Sequence, residues 1–267
     1  MNSAHCQSEY EVRFDWGLAG ALAVAGEVDV AVVVDVLSFT TTLSVAVDLG
    51  TVVLPYRWND ESARDFARQH DAVLAVGRSR AGFGQVSLSP ASWRSCPVPP
   101  ARLVLPSPNG STIAHHLAAS SVVCLGACLR NATAVASWIG DRRPRGAKTV
   151  AVIAAGERWP GGELRPAAED AWGAGAVIAQ LAAHGWSGLS PEPSSLVQRM
   201  NLSKAGSGSC SWTAPAGESW SSRATAPMWK SPQKSALATA FRYLKTSASS
   251  APARPEGVPA KDPPSGR

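Results

Sequence analysis

Short apolar runs alternate with stretches of helical periodicity along most of this chain. Residues 28–37 form a β-branched run that ends in an acid, which is typical of a buried parallel strand. A threonine cluster and a closing glycine follow this run and predict a helix. The same pairing recurs, with predicted strands at 51–56, 72–77, 102–108, 121–126 and 148–156, and predicted helices at 40–50, 59–70, 110–119, 131–140 and 167–185.

This alternation predicts a layered α/β/α fold with mostly parallel strands. Ligands of such folds bind at the carboxyl ends of strands, where loops meet helix N-termini. Segments at predicted strand ends are rich in glycine, hydroxyl, amide and acidic residues: 35–42, 77–90, 106–112, 126–131 and 156–170. Five such loops favour a polar site over turns alone.

The net charge of +5 resides in the last part of the chain. Residues 193–267 hold ten Lys+Arg and three Asp+Glu, so the charge indicates no nucleic-acid partner for the rest. The most apolar early run contains Glu27 and Asp29, which argues against a membrane span, and the N-terminus has no signal-peptide pattern. We therefore expect a cytoplasmic protein without a nucleic-acid or membrane partner.

The segment LPSPNGST, residues 105–112, is a candidate anion-binding loop. Gly110 allows the backbone to approach a ligand closely, while Ser111 and Thr112 offer donors at a predicted helix start. A capped turn explains the same residues, and for this motif alone it is the more common outcome.

Acidic residues at strand ends and a helix start are candidate catalytic groups or metal ligands. Asp35 resembles the nucleophile of haloacid-dehalogenase phosphatases, but Leu37 replaces the second Asp of that motif, so we retain Asp35 as a metal ligand or polar anchor. Glu169 and Asp170 lie at a predicted helix start, where they also suit the helix dipole. Together with Asp35 and Glu157 they predict an oxygen-ligand site for Mg²⁺.

Cys124 and Arg130 have the spacing of cysteine-dependent phosphatases, between a predicted strand and a predicted helix. In that chemistry a thiolate attacks phosphorus while the arginine binds the phosphate. The loop is unusually apolar and no His precedes Cys124, which favours buried structural cysteines instead.

Five motifs occur in the order seen in 2-phosphosulfolactate phosphatases: VVVDVLSFTTTLSVAVDLG, SPNGST, RNATAVA, VAVIAAGE and AEDAWGAGAVI. The chain resembles that family over residues 10–192. The resemblance implies magnesium-dependent hydrolysis of 2-phospho-3-sulfolactate, a small phosphorylated organic acid, to 3-sulfolactate and phosphate. It also implies a layered α/β/α fold that can consist of two related halves. A homo-oligomer is compatible with this expectation.

The motifs that match the family give a set of candidate site residues. The candidate catalytic residues are Asp35, Asp170 and Glu169, and the candidate metal ligands are Asp35, Glu157 and Asp170. The candidate phosphate-binding residues are Thr41, Ser89, Asn109, Gly110, Ser111, Thr112, Asn131 and Gly156. The chain departs from the family at Ser38 and Phe39, where Arg-Ala is common, and in VGRSR, which lacks the usual Glu; of the family's Asn-Ser-Pro only Ser89 and Pro90 remain.

The strand–helix alternation stops after Glu192. We therefore divide the chain into an α/β phosphatase-like domain, residues 1–192, and an irregular, low-complexity basic tail, residues 193–267. The tail contains 15 Ser, 9 Pro and no Ile, a composition that cannot bury much core.

Three tryptophans, Trp212, Trp220 and Trp229, are unusual in such a tail. Trp is encoded by a single codon. If the DNA is read in the frame two bases later, these codons force acidic residues at two places, and residues 211–234 can then resemble the family's C-terminal segment. We predict a frameshift near Glu192–Pro193. A chain altered in this way could also be an inactive anion-binding relic.

Overall fold

The computed structural model describes residues 3–57, 60–77, 81, 85–94, 96–120, 122–196, 198, 212–213 and 219–220. Its strands are β1 (Val12–Trp16), β2 (Val30–Val34), β3 (Val52–Tyr56), β4 (Val73–Leu74), β5 (Arg102–Pro106), β6 (Val123–Ala127), β7 (Val150–Ala154), β8 (Glu157–Arg158), β9 (Leu164–Arg165), β10 (Trp212–Thr213) and β11 (Ser219–Trp220). Its helices are α1 (Ser3–Cys6), α2 (Gly17–Val24), α3 (Phe39–Asp48), α4 (Glu61–Gln69), α5 (Pro90–Arg94), α6 (Gly110–Ala118), α7 (Ala132–Gly140) and α8 (Ala168–Ala183), with a 3-10 turn at Arg143–Arg145.

Two parallel sheets form the framework of the described chain. The first has the strand order β1-β7-β2-β6, and the second has the order β3-β5-β4. Every neighbouring pair in these two sheets is parallel. The strands β8 and β9 form a short antiparallel hairpin directly after β7. The predicted layered α/β class with mostly parallel strands is confirmed.

Helices separate and cover the two sheets. Helices α7 and α8 pack on one face of the first sheet, whereas α2, α3 and α6 pack on its other face, with α3 and α6 also contacting β3 of the second sheet. Helix α4 covers the second sheet through β4 and β5. Three buried apolar clusters fill the spaces between these layers. The structure therefore extends the predicted α/β/α layering by a second sheet and a further helical layer.

Two elements near the N-terminus are absent from the sequence prediction. Strand β1 contains Arg13, which is buried and donates hydrogen bonds to the carbonyls of Ser8, Tyr10 and Val24. A charged residue inside a strand hides the apolar pattern that marks a buried strand. Helix α2 consists of Gly, Ala, Leu and Val, so it has no polar face to reveal a helical period.

None of the helices in the described ranges is long and apolar enough to span a bilayer. The frameshift is predicted near Glu192–Pro193, and the segment that was read in the other frame, residues 211–234, lies outside the described residues except for 212–213 and 219–220. It stays a prediction.

Candidate active site

The carboxyl ends of strands from both sheets meet at one cavity. Asp35 follows β2, Ser107 follows β5, and Gly156 follows β7. Helix α8 begins at the same edge and supplies Asp170. The cavity has a volume of about 370 Å³, and we call it the carboxylate cavity; its described lining is Asp35, Leu37, Ser38, Phe39, Leu88, Ser107, Pro108, Asn109, Gly156, Glu157, Glu169 and Asp170.

Asp35 is fixed by donors from two separate loops. Its Oδ1 accepts the backbone N–H of Phe39 at 3.2 Å, at the start of α3. Its Oδ2 accepts the Ser107 hydroxyl at 3.2 Å and the backbone N–H of Gly110 at 3.0 Å. The side chain is therefore oriented by the loop after β2 of the first sheet and by the loop after β5 of the second sheet.

Asp170 is fixed in the same manner by two backbone N–H groups. Its Oδ1 accepts the N–H of Val36 at 2.7 Å, and its Oδ2 accepts the N–H of Gly156 at 2.9 Å. Gly156 has a φ of +66°, and a Cβ there would lie 2.8 Å from a methyl carbon of Leu164. This position therefore favours glycine both for its backbone conformation and for its space.

Burial and the charges of nearby carboxylates raise the pKa values of the two carboxyl groups. Burial is the main cause of the raised pKa of Asp35; hydrogen bonds oppose the rise, and the charge of Glu169 adds to it. Burial, followed by the charge of Asp35, raises the pKa of Asp170 to about 8. Among the described residues, no Lys or Arg forms an ion pair with either group. Two buried like charges without a cationic partner make this a site that favours a proton or a cation.

Two further acids line the carboxylate cavity. Glu169 is half-buried beside Asp170 at the start of α8. Glu157 is half-buried in β8 and forms an ion pair with Arg165 of β9. No group of three or more His, Cys, Asp or Glu residues in the described chain is arranged to hold a metal ion. The predicted ligand set of Asp35, Glu157 and Asp170 is therefore not assembled as a three-carboxylate centre.

The loop that was predicted to bind an anion contacts Asp35. The N–H of Gly110 is directed to that carboxylate, and the buried Ser111 hydroxyl donates to the carbonyl of Leu105 at 2.9 Å. The hydroxyl of Thr112 donates to the carbonyl of Pro108 at 2.8 Å. These two hydroxyl donors stabilise the loop internally, and the phosphate-binding role expected from the motif stays a prediction. Of this loop's predicted residues, Asn109 lines the carboxylate cavity.

Three other predicted phosphate-binding residues lie outside the cavity lining. Thr41 is buried and its hydroxyl donates to the carbonyl of Val36. Asn131 is buried and closes its own turn. Its side-chain oxygen accepts the Cys128 N–H, and its side-chain nitrogen donates to the Gly126 carbonyl. Ser89 takes part in a turn in which its carbonyl accepts the Ser92 hydroxyl. All three take part in hydrogen bonds within their own loops, and their phosphate-binding role stays a prediction.

The cysteine-dependent alternative is wrong for this structure. Cys124 lies within β6 and is buried, and this burial raises the pKa of its thiol to about 12. A nucleophilic thiol needs a lowered pKa and access to the substrate. Arg130 forms an ion pair with Asp48 at 2.7 Å and donates to the Ser44 hydroxyl, so it belongs to a contact with α3.

Sequence reasoning missed Ser107 and Phe39, both of which bond Asp35. Ser107 stands directly after a predicted strand, inside the same motif as Gly110, so its position was an available signal. The role of Phe39 is carried by its backbone N–H, which no residue type reveals.

A parallel α/β framework with paired buried carboxylates at its strand ends is a site suited to metal-assisted hydrolysis. Residues 22–200 match the model of the 2-phosphosulpholactate phosphatase family. The chain belongs to this family, which confirms the resemblance given by the five motifs. No curated protein matches the chain in a sequence comparison.

Proposed function

We propose that this chain is a magnesium-dependent phosphatase that hydrolyses 2-phospho-3-sulfolactate to 3-sulfolactate and phosphate. Membership of the family supports the reaction class. The buried pair formed by Asp35 and Asp170, which faces the carboxylate cavity without a described cationic partner, is the observation that carries the proposal.

The donor chemistry of the pair fits magnesium. Mg²⁺ prefers oxygen ligands and is commonly held by one or two carboxylates, with waters and substrate phosphate oxygens completing its shell. Two carboxylates therefore suffice, although the described residues supply no third acid close enough for a complete protein centre. Asp35 and Asp170 would hold the magnesium ion, which would supply positive charge to the phosphate oxygens.

The remaining groups of the cavity have separate tasks in this proposal. The hydrogen bonds from Gly110, Ser107 and Phe39 keep Asp35 in one orientation, so that little reorganisation is needed when substrate binds. Glu169 lies beside the pair and accepts the proton of the attacking water. Asn109 lines the cavity from the second sheet's loop and offers an amide to the substrate.

Phosphate release from 2-phosphosulfolactate tests the role of Glu169. The variant Glu169→Gln should lower kcat by about 100-fold or more, which is the usual contribution of a general base. The matched variant Glu61→Gln removes the same charge at the exposed start of α4 and should leave the rate unchanged. Equal rates for Glu169→Gln and the wild-type chain would contradict the assignment.

A further inference from the structure

The described lining of the carboxylate cavity contains four acids and no Lys, Arg or His. In the proposed mechanism, the cation held by Asp35 and Asp170 is what allows the phosphate of the substrate to enter this cavity. A second acid group in the same cavity would face the negative charge of Glu169. The substrate's other acid groups must therefore extend out of this cavity.

A second cavity of about 380 Å³ adjoins the first and shares Asn109 and Glu157 with it. We call it the neighbouring cavity. Its walls are largely apolar, with Leu18, Ile113 and Leu164 among its lining residues. In the described part of its lining, Arg158 is the one basic side chain.

Arg158 is held in place by the hairpin of β8 and β9. Its backbone pairs with Leu164, and its Nη1 donates to the carbonyl of Gly162 at 2.9 Å. The other arginine of the hairpin, Arg165, forms an ion pair with Glu157. Within the described chain no carboxylate forms an ion pair with Arg158. Its guanidinium keeps further donors for an anion, because one of five N–H groups is used internally.

We propose that Arg158 determines specificity by binding an acid group of the leaving alcohol, a sulfonate or a carboxylate, in the neighbouring cavity. This inference rests on the proposed phosphatase function and adds the residue that selects the substrate. Glu157 lines both cavities and is paired with Arg165, so a substrate that reaches from one cavity to the other meets a compensated carboxylate there.

Steady-state phosphate release separates this role from a general structural one. For Arg158→Gln, kcat/KM on 2-phosphosulfolactate should fall tenfold or more, the range expected for losing hydrogen bonds to a charged group. The rate on ethyl phosphate, which has no second acid group, should stay within twofold of wild type. Arg158→Lys should restore part of the loss, and Arg145→Gln, which removes an exposed charge from the 3-10 turn before β7, should change neither rate.

The substrates 2-sulfoethyl phosphate and 2-phospholactate, which keep only the sulfonate or only the carboxylate, identify the group that Arg158 binds. An equal loss on ethyl phosphate, or no loss on 2-phosphosulfolactate, overturns the inference. A wild-type chain that releases phosphate from no ester overturns the proposed function instead. Calorimetric binding of 3-sulfolactate then decides the role of Arg158: tenfold weaker binding by Arg158→Gln supports it, and unchanged or undetectable binding by both chains overturns it.

Discussion

Asp170 accepts a hydrogen bond of 2.7 Å from the backbone N–H of Val36, although the two residues are 134 positions apart in the chain. Val36 directly follows Asp35, so this contact joins the start of α8 to the loop after β2. It holds two buried carboxylates beside the same cavity. The site therefore depends on long-range contacts as much as on its acidic residues.

The raised pKa of Asp170 makes the stability of the protein depend on pH. Its pKa is about 8 in the folded chain and near 4 when unfolded, so the folded state binds more protons between these values. The stabilising contribution is complete below about pH 4 and is lost as the pH rises to about 8, with a slope of at most about 1.4 kcal/mol per pH unit. The Asp170→Asn variant lacks this titration.

Urea unfolding from pH 5 to pH 8, in the presence of a chelator, measures this effect. The free energy of unfolding of Asp170→Asn should rise relative to that of the wild-type chain as the pH increases. A difference between the two chains that stays constant over this range contradicts the raised pKa.

Gly110 should tolerate no side chain. A Cβ there would lie 2.6 Å from Oδ2 of Asp35 and 2.5 Å from the ring of Phe39. We expect Gly110→Ala to destabilise the protein by about 1–3 kcal/mol through overpacking and to lower phosphate release by moving the carboxylate. Gly26→Ala, where a Cβ would meet nothing within 4 Å, is the control and should have little effect. Thermal unfolding that gives the same Tm for both variants would count against this packing.

Cys124 should be dispensable for chemistry. Its thiol is buried in β6 with a pKa raised to about 12, so Cys124→Ala should retain phosphate release while losing roughly 1 kcal/mol of stability. Alkylation of the folded chain with iodoacetamide should not abolish activity. If a folded Cys124→Ala variant released no phosphate, the carboxylate mechanism would be wrong.

The tail carries a prediction that DNA sequencing resolves. If residues after Glu192 result from a frameshift, the frame two bases later stays open across the codons for residues 211–234 and encodes an acidic, family-like segment. Stop codons in that frame would show that the basic tail is the genuine sequence.

A strand that is buried on both faces could be predicted from the sequence. All five residues of β2 are buried, which accounts for the uninterrupted valine and alanine run that marked it. Strand β1 was not predicted, because its buried Arg13 donates hydrogen bonds to backbone carbonyls that only the folded chain brings near. The β8 and β9 hairpin has two residues per strand, too few to show a period.

The acids of the site could be predicted, but their partners could not. Asp35 and Asp170 stand at a strand end and a helix start, positions that sequence patterns identify. The assignment of the Gly110 N–H to Asp35 is a contact between residues 75 positions apart. The sequence of that loop is equally compatible with an anion in the same place, so the sequence alone could not show that Gly110 bonds Asp35.

Phosphate release from 2-phosphosulfolactate, measured with magnesium and with a chelator, tests the central claim most directly. The wild-type chain should release phosphate only with magnesium, and Asp35→Asn and Asp170→Asn should each lower the rate by at least about 100-fold, because each removes half of the proposed carboxylate pair. Phosphate release that continues at the wild-type rate in the chelator, or in both variants, would contradict the account.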